Sequence, residues 1–137
     1  MVTVQDANIF QLGNFCDSRG NLSVVEGERH IPFGIKRSFW ISDIPDDKQR
    51  GAHAHRECHQ FLIACRGSFE VALDDGENRR IVRLDKPYEG LHVPPGIWAA
   101  EQNFSPEAVC LVMASEHYDE SDYIRDYGEY LEYRKIK

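Results

Sequence analysis

The chain has no C-x-x-C pair. Its four cysteines, Cys16, Cys58, Cys65 and Cys110, stand singly along 137 residues. Scattered thiols of this kind fit a reducing compartment and offer no disulfide framework. No apolar run approaches the length of a membrane span. The first residues, Met1-Val2-Thr3-Val4-Gln5-Asp6, lack the basic start and apolar stretch of a signal peptide. Together these absences predict a cytoplasmic protein with no membrane partner. Positive charge is also scarce. Lys and Arg number 16 against 23 Asp and Glu, a net charge of -7 that argues against a nucleic-acid surface. A small anion held by a few local arginines stays compatible with that balance. There is no linker, low-complexity run or internal repeat. The length, with 42% hydrophobic and 28% charged residues, predicts a single globular domain over residues 1–137.

What is present is a succession of short strand-like runs separated by turn residues. They fall at 21–26, 35–43, 52–55, 60–66, 68–73, 79–84, 91–93, 97–102 and 109–115. Residues 44–47 read as a loop, and Asp74-Asp75-Gly76 as a hairpin turn. Many short strands at this spacing predict an all-β sandwich or barrel. The end of the chain differs: Tyr123, Ile124, Tyr127, Tyr130 and Leu131 recur at helical spacing. The pattern predicts a short C-terminal helix over 121–133, capped by Asp119 or Ser121, with its tyrosines used for packing.

Two stretches carry chemistry. In Gly51-Ala52-His53-Ala54-His55 the two histidines lie two residues apart on a strand and share a face. Four residues separate the pair from Gln60, and six more precede Gly67. The spacing resembles the first motif of the cupins, in which His, His and Glu hold a metal; Gln60 stands in the carboxylate position. The second cupin motif resembles Pro94-Pro95-Gly96-Ile97-Trp98, with Ala99 where a histidine ligand would stand and Asn103 at its end. An alanine binds no metal and a neutral amide replaces carboxylate poorly. The sequence therefore predicts neither metal nor cofactor. His53 and His55 are left as metal-free imidazoles that titrate near neutral pH and move protons.

Seven blocks carry a closer likeness: Asp17 to Leu22 (DSRGNL), Ile35-Lys36-Arg37, Arg50 to His55 (RGAHAH), Gly67-Ser68, Leu73 to Gly76 (LDDG), Pro94 to Trp98 (PPGIW), and Ala114 to Arg125 (ASEHYDESDYIR). They resemble the dTDP-4-keto-6-deoxyglucose 3,4-ketoisomerases along nearly the whole chain. The resemblance implies a cupin double-stranded β-helix, or jelly-roll barrel, and a homodimer, often strand-swapped. It implies a dTDP-linked keto sugar as substrate and a place in making 3-amino-3,6-dideoxyhexoses for bacterial O-antigen, lipopolysaccharide or S-layer glycans. The implied reaction moves the ketone from C4 to C3 through an enediol. His53 is then the base, and His55 a second proton carrier. Arg37 and Arg50 clamp the diphosphate, while Arg19, Gly20, Phe39, Gln60 and Trp98 contact the substrate. The pair Arg19-Gly20 resembles members that give an axial C4 hydroxyl, dTDP-6-deoxy-D-xylo-hexos-3-ulose. The chain departs from that pattern at Phe39, where relatives often carry tyrosine, and at Ala99-Ala100, where they carry polar residues. The alternatives are a nucleotide-sugar 3,5-epimerase and a non-catalytic sugar-binding cupin.

Overall fold

The computed structural model describes residues 1–45 and 47–136. Two five-stranded sheets form the body. One runs β1 (Asn8–Gln11), β9 (Glu89–Val93), β6 (Gln60–Arg66), β11 (Val109–Ala114) and β4 (Arg37–Ser42). The other runs β12 (Tyr123–Ile124), β5 (Arg50–His55), β10 (Trp98–Gln102), β7 (Phe69–Asp74) and β8 (Arg79–Leu84). β2 (Gly13–Asp17) and β3 (Gly20–Val24) pair only with each other among the described residues. Among the described residues there is one α-helix, α1 (Tyr127–Ile136), after the last strand. This is the expected all-β cupin arrangement with a short C-terminal helix. The two sheets face each other as a jelly-roll sandwich, and among the described residues no hydrogen-bonded ladder closes them into a barrel.

The alternation of side chains sets the layers. Leu62, Leu91 and Val112 from the first sheet meet Val71, Leu73, Val82 and Ala99 from the second in one buried core. β6 is buried on both faces, which is why Phe61-Leu62-Ile63-Ala64 is an unbroken apolar run. Its outer face, at Phe61 and Ile63, is covered by Ile31 and Phe33 from the segment before β4. The outer face of the second sheet, at Ala54, is covered by Ile124 and Tyr130.

The expected helix over 121–133 is corrected at its start. Residues Glu120–Asp122 form a 3-10 turn capped by Asp119, whose side chain accepts from the Ser121 N–H. Tyr123 and Ile124 then lie extended, paired with His55 and Ala54 of β5. The α-helix begins only at Tyr127, where the Asp126 carboxylate accepts the Glu129 N–H at 2.9 Å. Strands β1 and β2 go beyond the sequence-based expectation, since Asn8–Gln11 and Gly13–Asp17 expose most of their side chains and show no clean apolar alternation. Of the loop expected at 44–47, Asp46 lies outside the described residues. Among the described residues no helix is long and apolar enough to cross a membrane.

Candidate active site

β4 ends the first sheet, and β5 lies beside the short edge strand β12 in the second. A cavity of about 430 Å³ is lined from both sides by Phe39 and Ile41 of β4, Arg50, Gly51, Ala52 and His53 of β5, Gln60, Glu101, Tyr123, Arg125 and Gln49. Four of the sequence-derived candidates, Phe39, Arg50, His53 and Gln60, therefore share one wall.

A bulge makes that grouping possible. In an unbroken strand Arg50 and His53, three residues apart, would face opposite sides. Here β10 pairs Ala99 with His53 but Glu101 with Arg50, so β5 carries one residue more than its partner. Gly51 and Ala52 absorb the extra residue with φ of 90° and 40°. Gly51 is required twice over. Its backbone conformation suits glycine, and a Cβ there would stand 2.6 Å from Glu101 Oε2.

The histidines occupy different layers. His53 lines the cavity, and its buried Nδ1 has no hydrogen-bond partner. His55 is buried behind it, ring centroids 5.0 Å apart and edge to face. His55 Nδ1 lies 2.8 Å from Asp122 Oδ2, which fixes its ring and makes Nδ1 the protonated nitrogen, while Nε2 is buried without a partner. Asp122 is itself held by the Glu57 N–H at 2.7 Å and the Cys58 N–H at 3.3 Å. Burial pushes His53 down to about 4, helped by neighbouring His55, with a backbone hydrogen bond to Gly51 opposing. Burial also lowers His55, against the Asp122 carboxylate, which raises it. Both imidazoles are thus neutral near pH 7, and the His53 ring lines the cavity.

Tyr123 joins the layers. Its ring lies 4.9 Å from that of His53 and 4.4 Å from that of His55. Its hydroxyl accepts from the Arg37 guanidinium at 3.4 and 3.5 Å. The Arg125 guanidinium stacks over the same ring at 4.2 Å and is gripped by Glu120 at 2.7 and 3.0 Å. Arg37, expected to clamp the diphosphate, instead sits over Phe39 and Tyr118 at 5.4 and 5.6 Å and is not on the cavity wall. The cations on the wall are Arg50 and Arg125.

Three expected site residues lie elsewhere in the described chain. Trp98 packs under the C-terminal helix, 5.3 Å from Tyr127 and 5.5 Å from Tyr130, because its side chain leaves β10 on the outer face. Arg19 and Gly20 lie at the exposed tip of the β2–β3 hairpin, where Arg19 pairs with Asp17 at 2.6 Å. Gly20 serves the turn, with φ 121°, and nothing lies within 4 Å of where a Cβ would be. One His/Cys/Asp group has metal-ligand proximity among the described residues, His55, Cys58 and Asp122, with ligand atoms within 4.8 Å. The Asp122 oxygens in that group are already taken by His55 and two backbone N–H groups.

Residues 5–135 match the family model described as "FdtA: WxcM-like, C-terminal". The chain belongs to this family. A relative from Aneurinibacillus thermoaerophilus named TDP-4-oxo-6-deoxy-alpha-D-glucose-3,4-oxoisomerase is 44% identical over 117 residues, 85% of this chain and 84% of that protein. A 3,4-ketoisomerase from Helicobacter canadensis superposes with a TM-score of 0.92 at 42% identity, covering 95% of this chain and 98% of the other. A mutant of the 3,4-ketoisomerase QdtA from Thermoanaerobacterium thermosaccharolyticum, in complex with TDP-4-keto-6-deoxyglucose, gives 0.95 at 35% identity over 98% of both chains. A dTDP-4-dehydrorhamnose 3,5-epimerase from Bacillus anthracis is 15% identical with a TM-score of 0.75, covering 90% of this chain and 79% of the other, and so shares the fold alone.

Four residues of the site, Asp122, Tyr123, Arg125 and Glu101, are not among the candidates that the sequence singles out. The first three sit within the Ala114 to Arg125 block that carries the resemblance, and that block is the available signal. The helical spacing of Tyr123 with Tyr127 and Tyr130 disguises it.

Proposed function

We propose that the protein is a TDP-sugar 3,4-ketoisomerase acting on TDP-4-keto-6-deoxyglucose. The observation that carries the reading is His53, a neutral imidazole on a cavity wall that also holds Arg50 and Arg125. The ketone at C4 acidifies the proton at C3. His53 removes that proton, the enediol forms, and His53 returns the proton to C4, leaving the ketone at C3. Arg50 and Arg125 present forked donors to the diphosphate. The bound diphosphate's negative charge raises His53 toward neutrality, which improves it as a base in the complex. Asp122 and His55 hold Tyr123 and His53 in register from behind. With Ala99 and Gln60 in the positions of the missing ligands, the reaction runs on proton transfer. An epimerase would need access to C5 as well.

One base serving both carbons fixes the stereochemistry. In the gluco chair the C3 hydrogen points to the lower face. An axial C4 hydroxyl points up, so its C4 hydrogen also arrives from below. A His53 shuttle on one face therefore gives dTDP-6-deoxy-D-xylo-hexos-3-ulose. Trapping the product with a 3-aminotransferase and reading the proton couplings tests this. Small H4 couplings are expected; two large ones mean the gluco series and contradict the one-face shuttle.

The working form is a homodimer. Support comes from the β2–β3 hairpin, whose directly opposed Phe15 and Leu22 are 62% and 59% exposed. A two-stranded hairpin alone is marginal in water and needs a surface to cover its apolar side. A second copy, exchanging hairpins, covers it and carries Arg19 toward a neighbouring cavity. In analytical ultracentrifugation the wild type sediments as a dimer, and the double variant Phe15→Ser/Leu22→Ser shifts to monomer with a higher Michaelis constant. A monomeric wild type rules this arrangement out. Work on such sugars in the cytoplasm, for O-antigen or S-layer glycans, is consistent with this chemistry.

A further inference from the structure

Glu101 is an acidic residue on a cavity wall otherwise lined by neutral and basic groups. The protons of the reaction travel on the histidine pair, His53 at the wall and His55 behind it, so the carboxyl has no part in them. It follows Ala99 on the inner face of β10. Ala99 is paired with His53, and Glu101 with Arg50 across the bulge. The carboxyl reaches over the intervening Gly51, where a Cβ would lie 2.6 Å from Oε2. Along β5 it therefore stands between Arg50 and His53. Glu101 is 7% exposed, and among the described residues no group donates a hydrogen bond to its carboxyl.

A TDP-linked 4-keto sugar presents its groups to this wall in a fixed order. C3 and C4 react, C1 carries the diphosphate, and C2 with its hydroxyl lies between them. With C3 at His53 and the diphosphate at Arg50, the carboxyl over Gly51 falls beside C2. We propose that Glu101 is a specificity residue: it hydrogen-bonds the 2-hydroxyl of the sugar and selects sugars that bear this hydroxyl over 2-deoxy sugars.

The protonation state suits the task. Burial raises Glu101 to about 8, with Arg50 pulling the other way, so near pH 7 the carboxyl is neutral. A neutral carboxyl donates through its O–H and accepts through its carbonyl oxygen, which satisfies both sides of a hydroxyl. It also leaves the charge of Arg50 to the diphosphate. The groups that face it are Arg50 and His53 of β5, Tyr123 of β12, Arg125 just beyond it, and Cys110 of β11, whose thiol is pushed up first by burial and then by Glu101. A sugar without the 2-hydroxyl displaces water from this carboxyl and leaves it unpaired, and that penalty is what rejects the sugar. Glu101 gives up no proton in the reaction.

This role rests on the ketoisomerase reading. The test compares kcat/KM for TDP-4-keto-6-deoxyglucose and for its 2-deoxy analogue in the wild type, Glu101→Met and Glu101→Gln. The wild type is expected to prefer the hydroxylated sugar by ~10²-fold, the discrimination of a buried polar group that loses its partner. Methionine keeps the length of the side chain and removes its hydrogen bonds. In that variant the preference is expected to fall below about fivefold, through loss on the hydroxylated sugar alone. Glutamine still bonds a hydroxyl and is expected to keep a preference of at least about tenfold. A methionine variant that slows both sugars by the same factor overturns the role of Glu101 and leaves the ketoisomerase reading standing, as does a glutamine variant that discriminates no better than methionine. Should the methionine variant unfold, the wild type decides: a preference under about threefold contradicts the proposal. A wild type that turns over neither sugar overturns the reading and the role together.

Discussion

His53→Asn lowers turnover by ~10²–10⁴-fold, the usual contribution of a general base, while the melting temperature stays close to wild type. Asparagine approximates the imidazole's outline near the backbone and fits beside Ala99. What it removes is the neutral imidazole on the cavity wall. The Michaelis constant should move little, because Arg50 and Arg125 still meet the diphosphate. The pH profile adds a second reading. In the free protein His53 accepts a proton only below about 4, so wild-type kcat/KM should hold down to that region and fall beneath it. Above that value the base is free; below it the base is already occupied. A folded His53→Asn protein with near-wild-type turnover would make the histidine structural.

Asp122→Asn is expected to cost turnover at least ~10²-fold with the same small effect on the Michaelis constant. Asp122 receives the His55 Nδ1 proton at 2.8 Å and two backbone N–H groups from residues 57 and 58. An asparagine keeps one oxygen for the backbone and turns an NH₂ toward His55. That forces the proton of His55 onto Nε2, the opposite tautomer, in a ring packed edge to face on His53. In the serine-protease triad a buried carboxylate likewise holds a histidine in the right tautomer, and the same aspartate-to-asparagine exchange there costs ~10⁴-fold in turnover. Nitrogen-15 spectra of the His55 ring give a direct check. A folded variant with the wild-type tautomer and rate would show that Asp122 only supports the loop.

How much of this is legible in the sequence depends on the periodicity each residue obeys. His53 and His55 follow strand alternation, and their shared face is readable from spacing alone. Their division into a cavity layer and a buried layer is not, because it depends on Tyr123 and Asp122 packing in from the far end of the chain. Tyr123 reads as helical since Tyr127 and Tyr130 follow at helical spacing; pairing with His55 overrides that local pattern. A motif groups Arg50 with His53, and the physical cause, the bulge at Gly51-Ala52, is a register event invisible to a strict period of two. Glu101 is masked by Ala99, the position a metal ligand would occupy. An aromatic in a motif points Trp98 toward the sugar, and the outer face of β10 places it against Tyr127 and Tyr130 instead.

The most direct test of the ketoisomerase account is to incubate the protein with TDP-4-keto-6-deoxyglucose in heavy water and follow the sugar by NMR. The account predicts loss of the C4 ketone, growth of a C3 ketone, protium carried from C3 to C4 with deuterium there only as far as the His53 N–H exchanges with solvent, and no deuterium at C5. Deuterium at C5 would assign the chain to epimerase chemistry, and a sugar that binds but never exchanges or isomerises would contradict catalysis altogether.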